Sequence, residues 1–381
     1  MKTSIIILTY DNLFYSKLCI DSIRKNTRVG TYEIIVVDNN STDGTVEWLK
    51  KQKDIKVIFN KENMGFPKGC NQGINISKGD NILFLNNDVV VTHNWLDNLI
   101  KALYSSKNIG AVGAVTNKCS NYQTIDVTYN SLEEMSDFAS KYNVSDIRKW
   151  EERLRLIGYC FLVKREVVER VGELDEVFTP GNCEDNDYSL RIRREGYRLI
   201  LCKDTFIHHF GSVSFKKYPQ GLKEILDINN SKFKKKWGID VSYFKMIRKD
   251  ITAIIKKSKK IHLNILHIGC GAGGTLLDIK NEKPKCNLYG IEENERAVVN
   301  TDHFAKIHIG KEGMIKRYPK SFFDYIIVNS YNKNIDYFSS IFKIISVHLK
   351  DSGAVIFELP KKEVKLIKNR KNDFFEKGIS K

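Results

Sequence analysis

Short apolar segments alternate with longer segments of helical periodicity over the first 115 residues. The apolar segments are rich in Ile, Val, Leu and Phe and lie at 4–8, 33–37, 56–59 and 81–85. Strands that are buried on both faces of a sheet have this composition, and their alternation with helices indicates a parallel α/β sheet. In such sheets ligands bind beyond the carboxyl ends of the strands. The polar residues that follow each strand are therefore the first candidates for function.

The size, composition and cysteine pattern of the chain exclude several protein classes. Its 381 residues are enough for two or three domains, and 42% hydrophobic residues is an ordinary globular composition. The eight cysteines form no C-x-x-C pair, which favours a cytoplasmic protein with reduced thiols over a disulfide framework or a zinc ribbon. No apolar run approaches the roughly 18 residues of a membrane span. The predicted location is the cytoplasm, with the inner face of the membrane as an alternative.

The net charge of +16 is concentrated in one segment. Residues 216–260 hold 14 basic and 4 acidic residues, which is +10 of the total. We interpret this segment as a basic helical connector between a first domain, residues 1–215, and a second domain, residues 261–381. It lacks the regular aromatic interleaving of a nucleic-acid stacking platform. Nucleic acid is therefore not a predicted partner, whereas a peripheral membrane contact stays open.

Polar side chains of a coherent kind follow four strands of the first domain. They are Thr9-Tyr10-Asp11, the 38–44 segment, the glycine-rich 63–71 segment and Asn86-Asn87-Asp88. Each has a purely structural interpretation, since 38–44 fits a turn with Ser41 or Thr42 as a helix cap. Only their combination indicates a function.

Together these segments resemble the family-2 glycosyltransferases with the GT-A fold over residues 3–240. The matching segments are ILTYD at 7–11, VVDNNSTDGT at 36–45, NMGFPKGCNQGI at 63–74, LNNDVVV at 85–91, GELDEVF at 172–178, EDNDYSLRIRREGYRL at 184–199 and HHFGSVSF at 208–215. The resemblance implies a GT-A domain with a Rossmann-like, mixed and mostly parallel sheet. It also implies transfer of a sugar from a nucleotide-sugar donor, most often a UDP-sugar.

The resemblance further implies which residues bind the donor. The positions that match substrate contacts are Thr9, Tyr10, Asp11, Asp38, Asn40, Gly65, Lys68, Asn71, Asn86 and Asn87. Asp38 matches the carboxylate that contacts the uracil or the ribose, a role that suits a side chain with acceptors only. Lys68 and Asn71 match the loop that passes near the ribose and the phosphates.

The resemblance implies a divalent metal ion as well. The 86–88 segment stands where the family has its Asp-x-Asp metal motif, and here only Asp88 is a carboxylate. The family's His-x-Gly-x-x-Ser pattern, in which the His is a metal ligand, ends at Ser214 and so favours His209, with His208 as the alternative. Mn²⁺ or Mg²⁺ on Asp88 and His209 would neutralise the nucleoside diphosphate leaving group.

Three acids lie at the start of a predicted helix after Asn182. Asn182 suits an N-cap, and acids in a first helical turn gain about 0.3–1 kcal/mol from the helix dipole. Three acids exceed what capping requires, and Glu184, Asp185 and Asp187 match the family's catalytic acidic motif. We favour Asp185 as the general base, with Glu184 as the alternative and Asp187 as a supporting or acceptor-side residue.

A second glycine-rich turn begins the second domain. Residues 265–273 read ILHIGCGAG, and Glu292 ends the next predicted strand 19 residues after Gly273, a spacing typical of nucleoside-binding folds. This form resembles the class I S-adenosylmethionine methyltransferases over residues 262–381. The resemblance implies a second, smaller Rossmann-like α/β domain with cofactor contacts at Gly269, Gly271 and Glu292.

The second domain departs from that family at one key position and in its length. His267 replaces the acid that usually precedes the glycines, and the chain stops about 120 residues into the domain. We therefore expect an incomplete domain that serves interaction, oligomerisation or acceptor recognition, and S-adenosylmethionine is a doubtful cofactor.

The predicted function is an inverting, metal-dependent transfer of a sugar from a UDP-sugar to a hydroxyl of a surface glycan or of protein Ser/Thr. GlcNAc is the candidate sugar and flagellin the candidate type of protein acceptor. One alternative is a bifunctional glycosyltransferase and methyltransferase, and another is a non-catalytic carbohydrate- or protein-binding module. A homo-oligomer stays open.

Overall fold

The computed structural model describes residues 1–211, 219–329, 335–358, 364–370 and 373–379. The chain divides into two units, Met1–Val241 and Ser242–Lys381. This division falls inside the predicted connector 216–260, so the two units share that segment. Ser214, which belongs to the predicted histidine motif, lies outside the described residues.

The first unit is built on a mixed sheet. Its strands are β1 (Thr3–Thr9), β2 (Tyr32–Asp38), β3 (Ile55–Phe59), β4 (Asn81–Asn86), β5 (Val89–Val90), β6 (Ile109–Val115), β7 (Trp150–Arg153), β8 (Cys160–Lys164), β9 (Arg198–Phe206) and β10 (His208–His209). Within the described residues, eight strands form one sheet in the order β3-β2-β1-β4-β8-β6-β9-β7, and β5 pairs with β10. β1 to β4 pair in parallel, as do β6 and β9, whereas β8 runs antiparallel to both its neighbours. The apolar segments predicted as the first four strands are confirmed as β1 to β4.

Helices cover both faces of this sheet. They are α1 (Leu13–Asn26), α2 (Thr45–Leu49), α3 (Phe66–Ile76), α4 (Trp95–Leu103), α5 (Leu132–Tyr142), α6 (Arg165–Val171), α7 (Glu184–Arg194) and α8 (Pro219–Trp237). Successive side chains of a strand point to opposite faces. Ile5 and Ile7 accordingly lie in one core cluster with α1 and α4, whereas Ile6 lies in another with α3 and α7. Burial on both faces explains why the strands read as unbroken apolar runs.

The strand order places the predicted site residues at one edge of the sheet. It reverses between β1 and β4, which is where open α/β sheets bind ligands. In the parallel register Thr9 lies opposite Asp38, and Leu8 lies opposite Asn86. The loops that follow β1, β2 and β4 therefore meet.

The second unit has a sheet of its own. Its elements are α9 (Ser242–Lys245), α10 (Lys249–Lys256), β11 (Asn264–Ile268), α11 (Gly274–Glu282), β12 (Asn287–Glu292), β13 (Lys306–Ile309), β14 (Phe323–Asn329), α12 (Ile335–Ile345), β15 (Leu349–Glu358), β16 (Val364–Arg370) and β17 (Asp373–Ile379). Among the described residues the strand order is β13-β12-β11-β14-β15-β16-β17, parallel as far as β15 and antiparallel beyond it.

In the described parts of the chain, none of the helices combines the length and the apolar composition that crossing a membrane requires.

Candidate active site

A two-stranded ladder brings the predicted metal ligands together. β5 runs antiparallel to β10, so that Val89 lies opposite His209, directly after Asp88. The Nε2 atom of His209 is 3.2 Å from Oδ1 of Asp88, and both side chains are buried. A carboxylate and an imidazole 121 positions apart in the sequence thus share one small space.

Hydrogen bonding fixes which nitrogen of His209 faces that space. Nδ1 lies 2.8 Å from the carbonyl oxygen of Lys118, which can only accept, so Nδ1 carries the proton. In the neutral ring the Nε2 lone pair therefore points towards Asp88, with the amide of Asn86 at 3.5 Å. Tyr159 stacks on the imidazole at 5.1 Å between ring centres and holds its plane.

This donor set fits a divalent cation. A lone pair and a carboxylate oxygen that face each other repel unless a positive charge lies between them, and a metal-binding histidine usually donates its other nitrogen as His209 does to Lys118. Among the described residues, no group of three or more His, Cys, Asp or Glu side chains is placed to hold a metal. Further ligands would come from water and substrate phosphates, as is usual for Mg²⁺ sites.

His208, the alternative ligand, faces the other way. Its ring packs edge-on against Phe210 at 4.4 Å, and its Nδ1 meets the hydroxyl of Tyr129. Burial, reinforced by the neighbouring His209, lowers the pKa of His208 to about 4. The side chain is therefore a neutral part of an aromatic cluster.

Asp11 and Asp38, two carboxylates predicted to bind the nucleotide sugar, connect the loops that follow β1 and β2. Asp38 is fully buried, where Oδ1 accepts from the Thr9 hydroxyl at 2.9 Å and Oδ2 from the Ser41 amide at 3.0 Å. Oδ1 of Asp11 accepts from the Thr42 amide at 2.8 Å. Enclosed in this way, Asp38 connects two loops, and its contact with the uracil or the ribose stays a prediction.

Other predicted positions at this edge are accessible. Tyr10 is 40% exposed, Asn40 is exposed with φ of 66°, and Lys68 is half-buried. Asn87 instead donates to the Ser16 hydroxyl at 3.0 Å. Tyr10, Asn40 and Lys68 are thus accessible to a sugar donor at this edge.

The glycine-rich loop serves packing more than binding. A Cβ on Gly65 would lie 2.7 Å from Cγ2 of Thr179 and 2.9 Å from Cα of Pro180, and φ of Gly65 is 77°. Asn71 donates to the carbonyl of Leu174 at 2.9 Å and to Glu176 at 3.1 Å. Both N–H groups of the Asn71 amide are used, so the predicted contact of Asn71 with ribose or phosphate is not supported by its placement.

The acids at the start of α7 occupy different environments. The N-cap is Cys183, not Asn182, and its side chain makes no capping bond. Glu184 is 8% exposed, and burial, followed by the charge of Asp185, raises the pKa of Glu184 to about 8. Glu184 is therefore mostly protonated at pH 7, whereas Asp185 is partly exposed.

Asp187 anchors α8 to α7. Its fully buried carboxylate accepts from Nε of Arg191 and Nε1 of Trp237, each at 2.8 Å, and pairs with Nζ of Lys236 at 2.6 Å. Because three donors surround Asp187, its contacts favour the supporting role over the acceptor-side role, the two roles predicted for it.

The peptide at the start of β8 connects the two halves of the site. The amide of Gly158 lies 3.4 Å from Oδ2 of Asp185, and the next residue, Tyr159, stacks on His209. A second link runs through the loop after β6, where Lys118 contacts His209 and the adjacent Cys119 thiol lies near Asp185. The Asp88–His209 pair and Asp185 therefore flank the same short segment.

Comparison with known proteins gives a family match within the first unit. The family model described as glycosyl transferase family 2 matches residues 4–172. Residues 4–172 therefore form a glycosyltransferase family 2 domain. Asp185 and His209 follow the matched range within the same unit.

Relatives of this glycosyltransferase domain differ widely in length. The uncharacterized protein y4gI of Sinorhizobium fredii is 26% identical over 226 residues, which is 55% of this chain and 24% of that protein. The uncharacterized glycosyltransferase YfnE of Bacillus subtilis is 23% identical over 274 residues, 60% of this chain and 68% of the relative. The chain thus spans about a quarter of the first relative's length. The family match and the glycosyltransferase relatives support a glycosyltransferase.

A solved structure is also similar in part. The mannosyltransferase PcManGT from Pyrobaculum calidifontis, in complex with GDP-Man and Mn²⁺, has a TM-score of 0.46 and 20% identity, over 61% of this chain and 64% of that one. A likeness of this size says nothing about the ligands of this chain.

Several residues of the candidate site escape sequence reasoning. Tyr159 lies in an apolar run that reads only as a strand, and Lys118 acts through its carbonyl. Trp237 ends α8, and its partner Asp187 is 50 residues away in the sequence.

The glycine turn of the second unit is braced by its own chain. Oε2 of Glu292 accepts from the Gly271 amide at 2.7 Å, and Oε1 accepts from the Asn294 amide at 3.0 Å. A Cβ on Gly271 would lie 3.5 Å from the Tyr243 ring, and one on Gly269 would lie 3.0 Å from Asn329.

These residues do not fit a nucleoside cofactor well. Glu292, predicted to contact ribose, is buried and holds the turn instead. His267, at the position of the usual acid, lies 3.3 Å from Glu358. No methyl-transfer step follows from this geometry.

Proposed function

We propose that this chain is an inverting, metal-dependent glycosyltransferase that moves a sugar from a UDP-sugar to a hydroxyl of a surface glycan or of protein Ser/Thr. The observation that carries the proposal is the link through Gly158 and Tyr159 between Asp185 and the Asp88–His209 pair. Such a transfer needs a general base and a metal site, and the proposed base and the two proposed metal ligands lie on either side of this segment.

Asp185 is the proposed general base. Its partly exposed carboxylate takes the proton of the acceptor hydroxyl while that oxygen attacks the anomeric carbon. The bond from the anomeric carbon to the nucleoside diphosphate breaks in the same step, and attack from the opposite face inverts the configuration. Glu184 does not suit this role, because a protonated, buried carboxyl cannot accept the proton.

Asp88 and His209 are the proposed metal ligands, and Tyr10, Asn40 and Lys68 the accessible donor-side residues. These two residues would hold Mn²⁺ or Mg²⁺, which would supply positive charge to neutralise the departing diphosphate. The buried position of Asp88 and His209 excludes bulk water and so strengthens that interaction.

GlcNAc as the sugar, flagellin as the type of acceptor and a cytoplasmic location stay predictions from the sequence. For the second unit we propose interaction or acceptor recognition. The braced state of Glu292 favours this role over methyl transfer.

A donor screen with the full chain tests the proposal. We expect UDP release from one member of a UDP-sugar panel with Mn²⁺, increased by an acceptor and abolished by a chelator. A non-catalytic binding module would release no nucleotide from any UDP- or GDP-sugar. Turnover that is unchanged by the chelator would contradict the metal site.

A further inference from the structure

A buried arginine without an assigned role lies beside Asp185. Arg155, in the segment between β7 and β8, is 5% exposed. Its Nη1 donates to Oδ1 of Asn186 at 2.9 Å. The Asn186 side-chain amide donates in turn to Oδ1 of Asp185 at 2.9 Å, and the Asn186 backbone amide reaches the same oxygen at 2.7 Å. Two consecutive hydrogen bonds through the Asn186 side-chain amide thus connect Arg155 to the proposed base.

The chemistry of a guanidinium fixes the direction of this chain. Arg155 has donors only, so the carbonyl oxygen of Asn186 must face it and the NH₂ group must face Asp185. A freely turning amide could present its oxygen to the carboxylate, which would repel it. Arg155 therefore ensures that the NH₂ group of Asn186, a hydrogen-bond donor, faces the carboxylate of Asp185.

The charges around Asp185 come from three elements. On α7 itself, Glu184 is mostly protonated at pH 7, and Asp187 is held by the donors that anchor α8. In the loop after β6, burial raises the pKa of the Cys119 thiol to about 12, so it is neutral. Arg155 is the cation that faces Asp185 from the third side.

The Cys183 thiol lies near Arg155 as well. Burial lowers the pKa of Arg155, and the Asp185 carboxylate opposes that shift.

The surroundings of Arg155 do not favour a purely stabilising role. Among the described residues, its Nε is buried without a hydrogen-bond partner. A buried guanidinium with an unmet donor adds little or no net stability, because its removal from water opposes the gain from its attraction to a carboxylate.

We propose that Arg155 is a positioning residue for the general base: through Asn186 it orients the carboxylate of Asp185 and keeps it ionised beside Glu184. This inference rests on the proposed role of Asp185 in glycosyl transfer. Arg155 touches neither donor nor acceptor in this account and acts through Asn186.

The test compares four variants of the full chain in the transfer assay. For Arg155→Met we expect kcat to fall about 10- to 100-fold with an unchanged donor KM, because the base is misplaced and not the donor. We expect the acidic limb of the pH–rate profile to move up by about 1 pH unit, since the facing cation is lost. Arg155→Lys should restore the acidic limb but not the full kcat. Asn186→Leu alone should lower kcat. The double variant that combines Arg155→Met with Asn186→Leu should lose no more kcat than Arg155→Met alone.

Arg193→Met is the matched control. Arg193 is a buried arginine on α7, two helical turns beyond Asp185, and its loss tests what removing any buried arginine does. We expect its acidic limb to coincide with that of the wild type. A wild-type profile in Arg155→Met would overturn the proposal, as would a kcat loss with an unmoved limb and no rescue by Lys.

A measurement without turnover separates this inference from the proposed function. The ¹³C carboxyl signal of Asp185, assigned by its absence in Asp185→Asn, should titrate at higher pH in Arg155→Met than in the wild type. If the signal titrates at higher pH in Arg155→Met but the protein uses no sugar donor, the proposed function fails and the coupling of Arg155 to Asp185 stands. If the two titrations coincide, the positioning role is wrong whatever the enzyme transfers.

Discussion

Glu184 and Asp185 are neighbours in one helical turn, but their surroundings separate them chemically. Glu184 is enclosed, and its pKa is raised to about 8 by burial first and by Asp185 second. Asp185 is partly exposed and faces Arg155. Paired carboxyl groups whose environments differ in this way usually have different roles. In the proposed mechanism the partly exposed acid, Asp185, is the base, and the enclosed Glu184 is a neutral neighbour.

Replacing Glu184 by Gln should remove a pH dependence of folding. The folded pKa of about 8 lies above the reference value of 4.5, so between these pH values the folded protein keeps a proton that the unfolded chain has released. The free energy of unfolding of the wild type should therefore fall as pH rises through this window. The Tm of Glu184→Gln minus the Tm of the wild type should therefore be larger at pH 8.5 than at pH 5. Calorimetry at both pH values checks this, with the exposed Glu169→Gln as control. An equal difference in Tm at both pH values would contradict the assignment.

Replacing His209 by Ala should weaken the metal requirement of the reaction selectively. His209 faces Asp88, whereas His208 packs against Phe210, so His208→Phe is the matched control. We expect the Mn²⁺ concentration for half-maximal transfer to rise at least about 10-fold in His209→Ala. In His208→Phe it should stay near the wild-type value. Equal shifts in the two variants would show that the doublet matters only for folding.

At the scale of elements, the strands were predictable and the partners of polar residues were not. A strand with both faces buried can be recognised from its local apolar sequence, as at 33–37, which lies within β2. Asp38 ends β2, Asn71 lies within α3 and Asp187 lies in the first turn of α7, and ligand-binding residues occupy such positions too. Their structural roles depend on Ser41, Leu174 and Trp237, and the last two contacts join residues far apart in the sequence. The motifs therefore indicated where to look for a site, but they did not distinguish residues available to a ligand from residues that hold neighbouring loops and helices in place.

The His209–Asp88 pairing was predictable from spacing in a way that Arg155 was not. Alternation along a strand means that only one of two adjacent histidines can face the site. Arg155 carries no local signal, because its role depends on the side chain of Asn186 on another element.

Replacing Gly65 by Ala should destabilise the loop before α3 through a collision. The new Cβ would lie 2.7 Å from Thr179, and φ of 77° adds strain. Gly30→Ala is the control, since φ is 87° there and nothing lies within 4 Å of the new atom. We expect Gly65→Ala to lose about 1–3 kcal/mol more in urea unfolding than Gly30→Ala. Equal losses would mean that backbone strain alone matters and that the packing against 179–180 adjusts freely.

At the scale of the molecule, the basic stretch at 216–260 is partly neutralised within each unit. In the first unit Lys236 pairs with Asp175 and Asp187. In the second unit the pairs are Lys249 with Asp278, Lys256 with Glu282 and Lys260 with Asp324. These pairs give 4 of the 14 basic residues of the stretch an acidic partner in the described part of the chain, and they attach its helices to the two units without nucleic acid.

The second unit should not bind S-adenosylmethionine. Glu292 is buried and accepts from the amides of Gly271 and Asn294, so a ribose would have to compete with bonds that hold the glycine turn. Calorimetric titration of the full chain should give no saturable heat with this nucleoside. Binding in the micromolar range would contradict this account of the turn and revive the bifunctional alternative.

The central claim is that Asp185 is the base of a metal-dependent sugar transfer. Nucleotide release from the donor identified in the screen, measured with acceptor and Mn²⁺, tests it most directly when wild type and Asp185→Asn are compared. The account predicts a fall in kcat of about 10²- to 10⁴-fold, with UDP and Mn²⁺ binding nearly intact. Asp227→Asn, a carboxylate on α8, should behave as the wild type. Full transfer by Asp185→Asn would contradict the claim.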